Sequence, residues 1–588
     1  MARPPEKLAI LYFDDLSADP DRAWMRRAIP EQLNVQLRTT ARTILFLPQE
    51  DKAARREQAI AGGATRLLSG YFIAGHSELT LRASLEDPAD GGKTRHLEVA
   101  GPLREGLIPL VNRLAHQLDP AVRPFTTQSE RALERYASAV ASPRADRARE
   151  LLDQSMAADG EFGLAYVASM QLAASTGQAE WAAAIRRQAN SHALRDDIDA
   201  ARLTAEVAAF ARDKAGLADA LGRLSNLVRD PGLYVRAAEA RMQNGEFTAA
   251  AVLYRRALGE APGSVEILNQ LAYAQAYGGD LDGARKTVAA YRAIRPQDPN
   301  AFDTLGDALY YHNRYREAAD AYRQAFRMNP EFAAGVPEYK AAYAWLWAGD
   351  REQADKVFET YHHSREKKKD PQARFKAAEW RYYSGRRAEG LAAIERIADE
   401  PSIPRGLQAV AHAQATFWSL EAGDKPAARR HARTAHAIGS NSPIAALAMF
   451  VTQPSGSPAE WTERVDRLFA AKPGASALRP TFLAVPLLLG GHFAEAEGPV
   501  SDWLKQTNGQ VGDPVAVFRA WALIESGRVE EAARLLEYTP LIPATGMPAL
   551  ATLGFPRIFQ LRARVAEKAG RRQDADLNAR LWDLYRRL

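Results

Sequence analysis

PNAFDTLGDALYYHNRYREAADAYRQAFRMNP, residues 299–330, runs from one proline to another and reads as two amphipathic helices joined by a short turn. Phe302, Leu305, Gly306 and Leu309 fall at i, i+3, i+4 and i+7, one stripe of a first helix. Gly306 within that stripe costs about 1 kcal/mol of helix propensity relative to Ala, so a close crossing by another helix is expected at that point. Asn313 occupies the turn and Tyr315 closes it, after which Ala318, Tyr322 and Ala325 form the inward stripe of a second helix. Pro330 ends it, because proline lacks the amide hydrogen and pushes the residue before it out of the helical region. Working outward, Pro262, Pro296 and Pro330 recur at a fixed spacing. Gly245, Gly279 and Asn313 share one column between them; Ala250, Ala284 and Ala318 share a second, and Tyr254, Val288 and Tyr322 a third. A fixed period of this length marks a helical solenoid, in which each unit buries its apolar face against its neighbours.

The aromatic, Leu-Gly, Ala, aromatic, Ala and Pro columns resemble the tetratricopeptide repeat. That resemblance implies a mainly α chain built on a right-handed superhelix, an α-α solenoid. Three regular units fall in residues 231–334. Beyond them Gly349, Gly385, Gly423, Gly491, Gly527 and Gly570 are each followed five residues later by a small residue: Ala354, Gly390, Ala428, Ala496, Ala532 and Ala575. Residues 335–588 are therefore expected to be divergent repeats, with a joint near 455, where Pro454, Ser455, Gly456, Ser457 and Pro458 interrupt the period. The charged stretch from Arg572 to Leu588 is the expected last helix. Residues 125–230 read as divergent helical units, with pairs at 129–141 with 146–157 and at 201–215 with 217–228.

Residues 1–124 differ. Lys7 to Phe13, Ile44 to Leu47, Arg66 to Ile73, Glu78 to Leu85 and Thr94 to Val99 read as strands, the third and fourth joined as a hairpin through Ala74 to Ser77. Helices are expected at 22–38, 49–61 and 103–118, which makes a small N-terminal α/β domain. Its opening strand and loop, Leu8 to Ser17, and the Leu67 to Phe72 strand followed by Leu79-Thr80-Leu81, are similar to the TolB amino-terminal-like domain. The chain departs from that family at Arg27-Ala28, where many members carry Asp-Gly. Domains of this type often precede tetratricopeptide repeats in bacterial signalling proteins, behind a kinase, a nucleotide cyclase or a winged-helix domain and commonly after a transmembrane helix. The resemblance implies the sensor or regulatory part of such a protein.

Composition narrows the function classes. The 588 residues exceed what a single core supports, a limit that a solenoid evades by growing lengthwise. The apolar run around Leu483 to Leu489 is too short to span a bilayer, and no signal-peptide core opens the sequence. The expected location is the cytoplasm for a complete chain, or the periplasm for the soluble portion of a membrane-anchored receptor. With no cysteine, disulfides, thiolate-bound zinc and thiol catalysis are excluded together. A net charge of +5 over this length does not point to nucleic acid. The dense basic run, Arg365 with Lys367, Lys368 and Lys369, reads as a solvated inter-repeat segment.

Motifs of catalysis are missing: no phosphate-binding loop, no Gly-x-Gly-x-x-Gly, no His-Glu-x-x-His and no nucleophile elbow. His362 and His363 are adjacent and point about 100° apart on a helix, a poor metal site even with His312 added. Asp14, Asp15, Asp19 and Asp21 suit turn and N-cap duty better than a cation. No cofactor, metal or catalytic residue is expected.

The positive signal is aromatic. In tetratricopeptide arrays the first helix of each unit lines the concave face. That register places Asn269, Tyr273 and Tyr277 there from one unit, and Asn300, Asp303, Asp307, Tyr310 and Tyr311 from the next. Tyr339, Tyr343 and Trp347 follow, and Tyr382 and Tyr383 extend the line. Stiff rings with one polar end suit recognition, since they add contact area at low entropic cost. A groove binding a protein or peptide segment across residues 269–347 is the expected site, with Tyr343 and Trp347 as its anchors. The alternative is that these rings fill gaps between neighbouring helices. Three functions remain open: a regulatory module of a signalling receptor, a free-standing scaffold, and an enzyme with its site in the N-terminal domain.

Overall fold

A computed structural model describes residues 6–17, 19–38, 40, 43–46, 52–89, 93–439, 441–453, 456–471, 473–507, 515–537, 550, 553–555 and 557–586. The expected strand end at Leu47, the helix start at 49–51, the centre of the joint near 455 and the last two residues of the chain lie outside them. The architecture is mainly α, an α-α solenoid with a small N-terminal sheet domain. It forms two compact units, residues 1–267 and 268–588.

In the first unit, β1 (Lys7–Asp15), β2 (Thr43–Phe46), β3 (Arg66–Ala74), β4 (Glu78–Asp87) and β5 (Lys93–Pro102) form one sheet in the order β2-β1-β3-β4-β5. β1 is parallel to β2 and β3, while β3-β4-β5 is an antiparallel meander. β1 has the continuous burial of a central strand, with Leu8, Ala9, Ile10, Leu11 and Phe13 all buried. Gly70 is required on β3, because a Cβ there would sit 2.2 Å from the Arg82 carbonyl oxygen and 2.6 Å from the Phe13 ring. The helices Met25–Leu37 and Leu107–Leu118 lie against the sheet domain's core. That core continues without a break into the helical hairpins after residue 124, through Phe125, Tyr136 and Phe162 to Leu203. The sheet domain and the first divergent hairpins are thus one packed body, although the sequence divides them at 124.

The repeat turns behave as their column predicts. Gly245, Gly279, Asn313, Gly349, Gly385, Gly423, Gly491, Gly527 and Gly570 all take positive φ. The residues five positions later, including Ala250, Ala284, Ala318, Ala354, Ala428, Ala496 and Ala532, are buried where the second helix meets its neighbours. Gly177, with positive φ and buried Ala182 after it, carries the same signal inside the divergent region. At Asn313 the left-handed turn is held locally, since its Oδ1 accepts from the Tyr315 hydroxyl at 2.9 Å. The late array resumes after residue 455 with a capping box, in which Ser457 Oγ and Glu460 satisfy each other's backbone amides ahead of the Pro458–Ala470 helix.

The second unit holds a core that is continuous from Leu309 to Tyr585. Its last two helices, Arg557–Lys568 and Arg572–Arg586, pack on the helices just before them and also lie against the first helices of earlier units. Leu581 and Tyr585 on the final helix are buried.

Candidate functional site

Three successive first helices carry the candidate site: Val265–Tyr277, Pro299–Tyr311 and Val336–Trp347. Gly306 lets the second of these approach its own hairpin partner, since a Cβ there would lie 2.4 Å from the Tyr322 ring. That contact brings the Tyr322 hydroxyl to Asp307 Oδ1, to which it donates at 2.7 Å. From the preceding unit, the Tyr273 hydroxyl donates to Asp307 Oδ2 at 2.8 Å. From the following unit, Lys340 Nζ donates to both oxygens of Asp303 (3.0 and 2.9 Å) and both of Asp307 (2.9 and 3.1 Å). Three units therefore converge on one carboxylate pair.

Electrostatics fix the charge states of this cluster. Burial raises the Asp303 carboxyl to about 6, and the neighbouring Asp307 adds to the rise while Lys340 opposes it. Burial works against the Lys340 ammonium, yet Asp307 and Asp303 together hold it above the usual lysine range. Burial, reinforced by the two carboxylates, lifts the Tyr273 phenol well above its usual range. The Tyr hydroxyls remain donors and Lys340 remains a cation, so Asp307 is held by three donors and its side chain is fixed.

Beside the cluster lies a row of rings. Tyr273 and Tyr277 stack at 5.9 Å, and Tyr277 meets Tyr311 edge-on at 5.0 Å. Asn269 Oδ1 accepts from the Thr304 hydroxyl at 2.5 Å, and Asn300 Nδ2 donates to the Tyr291 hydroxyl at 3.2 Å. Asn269, Tyr273, Tyr277, Asn300, Asp307 and Tyr311 are half-buried, and Asp303 is buried.

The remaining predicted residues sit elsewhere. Tyr310, Tyr339, Tyr343 and Trp347 are core, with Tyr343 fully buried, and Tyr382 and Tyr383 are likewise buried. Tyr310 packs edge-on against Tyr315. Trp347 meets Phe559 at 5.0 Å and Phe555 at 6.1 Å, while Tyr343 and Tyr383 meet Phe555 at 6.1 and 5.0 Å. The Tyr382 hydroxyl lies 3.4 Å from that of Tyr585. The far end of the expected groove is thus filled by the chain's own C-terminal hairpin, and Tyr343 and Trp347 are not open anchors. Nothing local in residues 299–347 carries this information, because the covering rings lie about two hundred positions away.

The other candidates have structural duties. Asp15 accepts from the Ser17 amide and hydroxyl, and Asp19 caps the turn at Asp21 while pairing with Arg22 at 3.2 Å. His312 Nε2 lies 2.9 Å from the Ala276 carbonyl oxygen, and His362 stacks on Phe358 and faces Glu366 at 3.4 Å. Arg365, at the start of the basic run, is buried and not solvated: it donates to the Ala334 carbonyl at 2.8 Å and pairs with Glu331 at 3.2 Å. A feature the sequence did not expose is the buried pair His412 and His431, whose Nδ1 atoms lie 3.2 Å apart, with His431 Nε2 3.0 Å from Glu395. Among the described residues no group of His, Asp and Glu could hold a metal ion, and no helix is long and apolar enough to cross a membrane.

Residues 241–306 match a tetratricopeptide-repeat family model, and residues 299–332 match a second. The chain is similar to YrrB, described as a TPR protein with an unusual peptide-binding site, at 18% identity over 33% of this chain and 98% of that one, with a TM-score of 0.27. It is similar to the MamA protein at 17% identity, over 29% of this chain and 93% of that one, with a TM-score of 0.25. A tetratricopeptide repeat protein from Parabacteroides merdae matches at 16% identity, over 44% of this chain and 99% of that one, with a TM-score of 0.28. No curated protein matches the sequence.

Proposed function

We propose that the chain is a non-catalytic protein-interaction module that receives an extended peptide segment on the surface of Asn269, Tyr273, Tyr277, Asn300, Asp307 and Tyr311. The observation that carries this reading is the half-buried Tyr273-Tyr277-Tyr311 row, braced by an Asp307 that Lys340, Tyr273 and Tyr322 hold in place. Rings already fixed in the free protein lose little freedom on binding, so their contact area converts to affinity efficiently. The test is selection of a phage-displayed random peptide library on the full chain, followed by titration of the selected peptides against Tyr277→Ala/Tyr311→Ala. Binding at least tenfold weaker, with helical circular dichroism unchanged, is the expected result. Peptides that bind both proteins equally, or a selection that yields none, overturn it.

On the resemblance of its N-terminal domain, the module belongs to the regulatory portion of a bacterial signalling protein, exposed to the periplasm when anchored. Immunoblotting of fractionated source cells decides this. A membrane-associated band well above 64.6 kDa supports the receptor, and an unanchored band at the mass of this chain supports a free-standing cytoplasmic scaffold.

A further inference from the structure

We propose that the last helical hairpin is a resident occupant of the ligand-facing surface, and that the partner which replaces it is a basic amphipathic helix with two aromatic rings one turn apart. The proposal rests on the interaction reading above and names the partner's chemistry. Phe555 and Phe559, four positions apart, sit against Tyr343, Trp347 and Tyr383. Arg557, between them, donates to Glu421 Oε1 at 3.2 Å, and its guanidinium lies 3.7 Å from the centre of the Trp521 ring. Further along, Arg564 pairs with Glu525 at 2.5 Å, and Arg562 donates to the Leu536 carbonyl at 2.7 Å. The receiving surface thus offers ring faces and the Glu421 carboxylate, while Trp521, Glu525 and Leu536 belong to the preceding hairpin on which the helix also stacks. What it has accepted is a helix of aromatic and cationic side chains.

Distance along the chain separates the contacts to Tyr343, Trp347, Tyr383 and Glu421 from ordinary stacking. In a solenoid each repeat touches its neighbours. Here Arg557 reaches Glu421 across 136 positions, and Tyr585 reaches Tyr382 across 203. Because the occupant is tethered to its site, its effective concentration is of millimolar order, and a free segment competes only after it is loosened.

The test uses the full-length protein and, as probe, a fluorescent synthetic peptide of residues 553–571 read by anisotropy. Phe555→Ala/Phe559→Ala loosens the resident hairpin. Glu421→Cys/Arg557→Cys, joined by a short bis-maleimide, locks it, and no other thiol competes because the chain has no cysteine. The expected result is probe binding at least tenfold tighter to the loosened variant than to the unaltered protein. Binding to the cysteine variant is expected before cross-linking and not after. The proposal is overturned if the cross-linked form binds as well as the unlinked one, if no variant binds the probe, or if the loosened variant loses its cooperative unfolding. Probe behaviour as expected, combined with library peptides indifferent to Tyr277→Ala/Tyr311→Ala, would retain the resident hairpin and remove the tyrosine row.

Discussion

At residue 306 the helix gives up intrinsic propensity for contact. Adding a methyl group there recovers up to about 1 kcal/mol of helix preference. It also drives a carbon to 2.4 Å from the Tyr322 ring, which is fully buried and tied by its hydroxyl to Asp307. Overpacking of a well-filled site costs about 1–3 kcal/mol, so the clash outweighs the gain. Gly306→Ala is expected to lower the denaturant midpoint with an unchanged m-value, and a midpoint that rises would show that Tyr322 can move aside. The small-residue requirement was legible from the glycine alone. That Tyr322 supplies the contact, and that its hydroxyl bonds to Asp307, was not, because both depend on the roll of one helix over another.

Each repeat element is completed by the next. Lys340 belongs to the helix Val336–Trp347, yet its ammonium bridges two carboxylates on Pro299–Tyr311. Replacing one partner of such a cluster leaves the others buried and uncompensated, a loss of about 3 kcal/mol. Lys340→Met is therefore expected to increase hydrogen exchange across both hairpins that flank it, while Lys340→Arg restores most of the protection. Exchange confined to Val336–Lys367 would contradict this coupling. The turn column and the inward stripes were readable in the sequence because positive φ and small inward residues restrict residue type. The rings of the expected groove were readable only as a register. Tyr273 and Tyr277 stay half-buried, whereas Tyr343 and Trp347, in the same columns, are sealed by Phe555 and Phe559. A repeat period specifies which faces are inward but not what lies across from them.

For the whole molecule, several buried carboxyls share one titration logic. Burial raises Asp199 to about 7 against the pull of Arg202, and Glu338 to about 7 against the pull of Arg323, beside Asp303 at about 6. In the unfolded chain these groups ionise near pH 4. Between pH 6 and 8 the native state alone must give up protons, so stability falls as pH rises. His412 works the other way: burial, then the adjacent His431, lowers its pKa, so stability is lost as pH falls through that depressed value. Scanning calorimetry is expected to show higher unfolding temperatures at pH 6 than at pH 8. The shift should appear in both compact units, since Asp199 lies in one and Asp303 and Glu338 in the other. An unfolding temperature that climbs steadily to pH 8 would contradict the buried-carboxyl account.

The contact between Tyr382 and Tyr585 also has a history in time. The ribosome must add 203 residues after the first ring before the second exists. At roughly 5–20 residues per second that takes on the order of 10–40 s. For most of that interval Tyr343, Trp347 and Tyr383 have been made and the Phe555 and Phe559 rings that cover them have not. The nascent chain therefore presents a bare aromatic face for far longer than its individual hairpins need to form, and holding chaperones have a definite stretch, residues 343–383, on which to act.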